Sequence, residues 1–554
     1  MKKTILLLVA LIVAVQVYAQ HKAAEKIIFG KIWTGNPTQP WAEAMAFSGD
    51  NILAVGSKKE LESFVDPKTL QINAPTQGMV VPGFIDSHTH FIDGGLKLSG
   101  VQLRDAMTKQ EFIKRIGDFA KTLQPGEWIT GGSWDHQNWG GELPEKSWID
   151  SVTVNNPVYI NRLDGHMLLA NSAALKLAGV DDAVKEVEGG EIIRRDGHLT
   201  GLLKDNAKSF VNDVMPLPTS KQKQEALKAA MAYVASNGVT SISSLTGTGF
   251  GDYFDVYQSG KDKGLLITRI NAVSELENYA KLAAFIKKNG VGDKWLRYGG
   301  VKGFVDGSLG SHTAAFLKPF TDAPTDSGFF VITEKLLYSR LKSADSLGLQ
   351  LLIHAIGDRS IHSLLSLFEK LEKENGKKDR RIRMEHAQHI LPADFPRFRA
   401  LNVIASVQPY HAIDDGRWAE KIIGHERAKS TYAFRSLLDA GAKLSFGSDW
   451  FVAPASPMLG IYAAVTRRTI DDQNPGGWIP EQKITVEEAL KGYTINAAYA
   501  TFEDKLKGSL QKRKLADFVI LEQDITKIDP VKIKDVKVLA TFVGGKAVYQ
   551  NQEK

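Results

Sequence analysis

Two histidines, His88 and His90, stand two residues apart at the end of the apolar run in "VVPGFIDSHTHF" (80–91). Alternate residues of a strand face the same way, so both imidazoles aim at one spot. Neutral imidazole nitrogen and carboxylate oxygen suit zinc and similar divalent ions. Four further residues fit that chemistry: Lys302 in "GGVKGFVDGSLGS", His354 in "LLIHAIGD", His386 in "RMEHAQ" and Asp449 in "LSFGSDW". A lysine buried in a strand is costly as an ammonium ion, and burial near cations favours the free amine. A free amine takes up carbon dioxide to give a carbamate, whose two oxygens can bridge two metals. The other reading of Lys302 is a side chain that contacts substrate or reaches solvent. Singly, each residue has a plain structural role: an incidental HxH, hydrogen-bonded core histidines, an aspartate capping a helix. Jointly they use four of the chain's 13 histidines, and that favours a metal site.

The elements that carry these residues repeat. An amphipathic helical stretch ends in Gly or Asn, an apolar strand follows, and a polar residue closes it. "VASNGVTSISSL" (234–245), "SLGLQLLIHAIGD" (346–358), "ALNVIASVQPYH" (400–411) and "LDAGAKLSFGSDW" (438–450) share this pattern. Gly or Asn after a helix is the expected cap, and continuous apolar strands between helices imply a parallel sheet buried on both faces. Strands at "VVPGFID" (80–86), "LLITRINAV" (265–273), "RYGGVKGFVD" (297–306) and "RIRMEH" (381–386) complete eight βα units. The expected fold is α/β, a (β/α)8 TIM barrel over 81–507, whose chemistry sits at the carboxyl ends of the strands. His88 and His90 end the first strand, Lys302 lies on the fourth, His354 and His386 end the fifth and sixth, and Asp449 follows the eighth.

Two stretches fall outside the barrel. Residues 24–80 and 508–552 hold short β-like pieces, and neither end has enough apolar surface for its own core. Together they read as a small β-sandwich built from both chain ends. An insertion subdomain over about 100–220 follows the first barrel strand. It opens with a capping box, Thr108 and Glu111, and a helix whose Phe112, Ile116, Phe119 and Leu123 recur at helical spacing. "GTGFG" (247–251) reads as a plain loop, since no helix follows in frame.

The first twenty residues, "MKKTILLLVALIVAVQVYAQ", have a basic start, an apolar run too short for a comfortable bilayer span, and a small residue at Ala19. This is a signal peptide over 1–19, and the mature protein is expected to be periplasmic or secreted, without stable membrane association. A net charge of +6 over 554 residues, with no basic stripe among aromatics, gives no case for nucleic acid. The absence of cysteine excludes disulfides, thiolate ligands and a cysteine nucleophile.

"PGFIDSHTHF", Lys302, His354, His386 and "GSDW" resemble the amidohydrolase superfamily. "VKGFVDGSLGSHTAAF", "HAIGDRS", "MEHAQHI", "SVQPYH" and "GSLQKRKLADFVIL" resemble its amidohydrolase 3 group, the YtcJ-like metal-dependent hydrolases that include N-substituted formamide deformylases. The resemblance implies two divalent ions. His88, His90 and Asp449 would hold one, His354 and His386 the other, and carbamylated Lys302 would bridge them. It implies hydrolysis of a non-peptide C–N bond in a small amide-type molecule by a bridging hydroxide, with Asp449 moving the proton and His386 assisting at the carbonyl. Asp306, Ser308, Gln408 and His411 would orient substrate from the loops, and His166 from the insertion. Many relatives carry Arg at His312 and Pro at Phe451, which bears on substrate choice. Rivals are a mononuclear deaminase or cyclic amidohydrolase, an inactive metal-binding interaction protein, and a polysaccharide-binding sandwich. The substrate and a homodimer are left open.

Overall fold

The computed structural model describes residues 23–245 and 253–551; residues 1–19 and the "GTGFG" stretch lie outside the described residues. Eight parallel strands form one sheet in chain order: β1 (Phe84–Thr89), β2 (Val239–Ser244), β3 (Arg269–Glu275), β4 (Leu296–Phe304), β5 (Leu351–Ala355), β6 (Arg383–His386), β7 (Ile404–Val407) and β8 (Lys443–Phe446). Beyond the strand ends β1 meets β8. The His90 amide donates to the Trp450 carbonyl at 2.6 Å, and the Asp449 amide to the His88 carbonyl at 2.7 Å. Every residue of β1, β2, β5, β6 and β7 is buried, as strands covered on both faces require. The helices read as the sequence suggests. Residues Asp358–Asn375 bury Ile361, Leu364, Leu365, Phe368 and Leu371 along one stripe, and the helix stops at Gly376 with φ +75°.

The first strand differs from expectation in kind, while others such as Arg269–Glu275 shift only at their ends. The run "VVPGFID" is two strands, because Met79–Pro82 belongs to another sheet and β1 begins at Phe84. Gly83 makes the switch: a Cβ there would lie 2.3 Å from the Thr240 hydroxyl, so only glycine lets the two chains pass. The capping box is also incomplete. Thr108 accepts from the Glu111 amide at 3.1 Å, but Glu111 reaches past it to accept from the Met107 amide at 3.0 Å.

Strands from both chain ends share an eight-stranded sheet. Met79–Pro82 pairs antiparallel with Phe518–Leu521, Val80 standing opposite Ile520. Between β1 and β2 of the barrel, a six-stranded sheet runs from Val101–Gln102 to His198–Asp205. It buries Phe112, Ile116, Trp134 and Leu169 in one core and Leu168, Leu175, Leu203 and Val211 in another. Trp134 packs inside it with its indole N–H donating to the Ile160 carbonyl at 3.1 Å.

The two-ended sheet is fastened to the barrel by a buried ion pair. Arg269, at the start of β3, donates Nε to Asp517 Oδ2 at 2.6 Å and Nη2 to Oδ1 at 2.8 Å. Both side chains are almost fully buried, and the Gly544 amide also donates to Asp517 at 2.7 Å. Removing one member of such a pair strands the other charge. Asp517→Ala should therefore cost about 3 kcal/mol or more in urea unfolding; a loss under about 1 kcal/mol would show the pair to be dispensable.

Candidate metal centre

At the carboxyl end of the barrel the imidazoles of β1, β5 and β6 gather. The His88 and His386 rings are 4.9 Å apart between centroids, and His354 and His386 are 4.5 Å apart. His88, His386 and Asp449 each offer a ligand atom within 4.8 Å of the others. Asp449 Oδ1 lies 3.1 Å from His90 Nε2 and 3.4 Å from His88 Nε2. The tightest trio thus draws on β1, β6 and β8, rather than on β1 and β8 alone. Lys302, 2% exposed, lines the same cavity as His90, His354, His386 and Asp449.

Local backbone sets these directions. His386 leaves β6 with φ +72°, and Asp449 follows β8 with φ +60°. Left-handed backbone at non-glycine residues is costly and concentrates at functional sites. Gly447 allows the approach of β8 to β1, since a Cβ there would lie 2.5 Å from the His88 nitrogen. Asp449 does not serve as a helix cap: its Oδ1 has no hydrogen-bonding partner among the described residues.

Charge states follow from burial. Burial pushes His88 down to about 4, with Lys302 adding to the effect, and holds His354 and His386 well below the ordinary range. Neutral imidazoles are the ligand form. Burial alone would raise the Asp449 carboxyl, but His88 and His90 outweigh it and keep it ionised. Burial lowers Lys302 to about 8, against the pull of Glu385 and Asp449. A sizeable share of free amine near neutral pH is what carbamate formation requires.

These residues fit divalent cations. His88 Nε2, His386 Nδ1 and Asp449 Oδ1 are buried, converge, and find no hydrogen-bonding partner among the described residues. His354 Nε2 lies 3.0 Å from the Gly307 carbonyl; as donor there it presents Nδ1 as the lone pair. His88 Nδ1 lies 2.6 Å from Glu385 Oε2, which orients Nε2 toward the cluster. Glu385 is fully buried and held by Arg383, whose Nε donates to Oε1 at 2.8 Å. Sequence reasoning passed over both. Their spacing of two puts both on one face of a buried strand, but strict alternation with an inward His386 would turn that face outward.

The loop residues separate. His166, Ser308 and His411 line the cavity. Ser308 donates its hydroxyl to Asp164 at 2.6 Å, and His166 Nδ1 is bonded to Asp205. His411 stacks over His386, the rings 6.4 Å apart and 9° from parallel. Asp306, Gln408 and His312 do not line it. Asp306 is fully buried and accepts the amides of Ala315, Ile356 and Gly357, so it ties two other chain segments to its own. Gln408 is buried with Nε2 3.3 Å from His88 Nδ1. His312 turns outward to Asp322 at 3.0 Å. The insertion supplies a wall: Arg162 donates to Asp164 at 2.6 Å and Asp135 at 2.9 Å, and Arg417 of the barrel reaches Asp135 at 3.1 Å.

Residues 75–549 match the model of the amidohydrolase family. The chain belongs to that family. Among curated relatives, Protein LONG AFTER FAR-RED 3 of Arabidopsis thaliana is 41% identical, covering 94% of this chain and 90% of the relative. The putative amidohydrolase YtcJ of Bacillus subtilis (strain 168) is 28% identical, covering 92% and 96%. An uncharacterized metal-dependent hydrolase from Pyrococcus horikoshii OT3 superposes with a TM-score of 0.72 at 27% identity, over 91% of this amidohydrolase and 99% of that chain.

Glu385 gives the centre a test that needs no substrate. Glu385→Gln keeps the side-chain shape but weakens its hold on the His88 Nδ1 proton. Metal affinity, measured by competition with a chromophoric chelator, should fall about 10- to 100-fold; unchanged affinity would remove His88 from the ligand set.

Proposed function

We propose that this amidohydrolase cleaves a non-peptide C–N bond of a small amide-type molecule at a two-cation centre. The observation that carries the reading is the convergence of buried His88, His386 and Asp449 atoms, unpartnered among the described residues, at the cavity that Lys302, His386 and Asp449 line. His88, His90 and Asp449 would hold one ion, His354 and His386 the other, with a carbamate on Lys302 between them. Zinc suits the all-nitrogen and oxygen donor set. When bound, such ions would activate a water near neutral pH and polarise a carbonyl.

The chain's own residues do the rest. Asp449, ionised and open to the cavity, takes the proton of the attacking water and passes it to the departing nitrogen. His386 stands beside it to assist at the carbonyl. Glu385 fixes His88, and Arg162 and Asp164 of the insertion form part of the cavity wall. The small end sheet reads as a sandwich and residues 100–220 as a subdomain over the mouth; the leader at 1–19 supports a periplasmic or secreted protein.

Two measurements test this. Protein reconstituted with zinc should hold two ions per chain and hydrolyse members of an N-formyl, N-acyl amino acid or cyclic amide library. Asp449→Asn should keep the circular dichroism spectrum and lose about 100-fold or more in kcat. A single ion would favour the mononuclear alternative, and undiminished turnover in the variant would refute the role given to Asp449.

A further inference from the structure

The helix Pro409–Asp415 and the turn after it form one side of the cavity, with Asp414, Asp415 and Trp418 all lining it. Most charges around this wall are matched. Asp135 and Asp164 pair with Arg162 at 2.9 and 2.6 Å. Asp414 pairs with Arg417 and lies 3.8 Å from Arg104. Asp415 is the exception. Among the described residues it has no cation within ion-pair distance, and its two donors are neutral. Gln388 Nε2 at 3.1 Å and the Tyr432 hydroxyl both give to Oδ2. Oδ1 accepts nothing from the described residues. Three residues on, Trp418 is only 8% exposed, and its indole N–H is buried without an acceptor among the described residues. One cavity wall thus presents, three residues apart, a carboxylate oxygen and an indole donor that are both unpaired among the described residues. A buried indole N–H without an acceptor is destabilising unless something supplies one, and the half-buried carboxylate oxygen stays open to a ligand from the cavity.

We propose that this wall is a substrate subsite for a protonated amine next to a hydrogen-bond acceptor. Asp415 Oδ1 takes the ammonium group and Trp418 Nε1 donates to the neighbouring oxygen. The substrate class is then an amide whose non-reacting part carries an amino group. This rests on the hydrolase reading and deepens it. An ammonium suits the site better than a neutral donor because Asp415 is the unmatched charge. Burial, with Asp414 beside it, pushes the Asp415 carboxyl up to about 7, and a cation would relieve that.

The test uses zinc-loaded full-length protein and two readouts. First, pentylamine and pentanol are titrated by calorimetry, so binding is read without turnover. The amine should bind at least tenfold more tightly. Asp415→Asn, which keeps an acceptor oxygen for Tyr432 and Gln388, should bring that ratio toward one. Second, kcat/KM is compared for N-formyl amides ending in an ammonium or a methyl group; the ammonium form should lead at least tenfold, and Asp415→Asn should erase the lead. Trp418→Phe should weaken only amides with an oxygen beside the amine. Equal binding of amine and alcohol by the wild type, or a preference untouched by Asp415→Asn, overturns the subsite. Asp415-dependent amine binding with no amide turned over would leave the subsite standing and sink the hydrolase reading. Should Asp415→Asn fail to fold, the wild-type ratios decide alone.

Discussion

The seam between β1 and β8 is the constraint on which the molecule depends. Two backbone bonds at 2.6 and 2.7 Å join the His88–His90 segment to Asp449 and Trp450. Under them Asp86 accepts from the Ser448 amide at 2.8 Å and the His88 amide at 3.2 Å. The contacts that close the barrel therefore also set the two histidines against the aspartate. Fold and site cannot be loosened separately here: a slip of one residue would turn an imidazole away, because side chains alternate faces along a strand.

A second layer of control comes from buried charge. Glu385 and Arg383 are both fully buried inside the barrel, where an isolated ion would be very costly. They exist as a pair because each satisfies the other, and His88 completes the set at 2.6 Å. The insertion uses the same device, with fully buried Arg162 spread over Asp135 and Asp164. Guanidinium forks hold two carboxylates in fixed geometry, which is how mobile-looking loops become a rigid cavity wall.

Much of this was legible in the chain. Four barrel strands announce themselves as apolar runs after Gly or Asn caps and the other four as strand-like runs, and the four histidines, Lys302 and Asp449 fall at or near their carboxyl ends. Less legible was what each loop residue does. Asp306 looked like a substrate contact because it follows Lys302 closely, yet three backbone amides claim it. His312 points to Asp322 instead of inward. Glu385 and Arg383 hid beside His386, whose left-handed backbone breaks the alternation that would have assigned faces along β6. Asp415 and Trp418 carry no motif, and only their missing partners mark them. One-dimensional pattern reads strands well, but hydrogen-bond satisfaction is a property of three dimensions.

The sheet shared by the chain ends has a consequence for biogenesis. Val80 pairs with Ile520, so the amino-terminal strands wait for partners some 440 positions later. Until the ribosome releases that last stretch, Met79–Pro82 keeps an open edge, and Asp517 is not there to neutralise Arg269. Large loop-closure distances slow such pairing, and unpaired edges invite misassembly. The nascent polypeptide thus stays incomplete until synthesis is nearly over, and a protein trimmed at its tail would lose the support beneath its head.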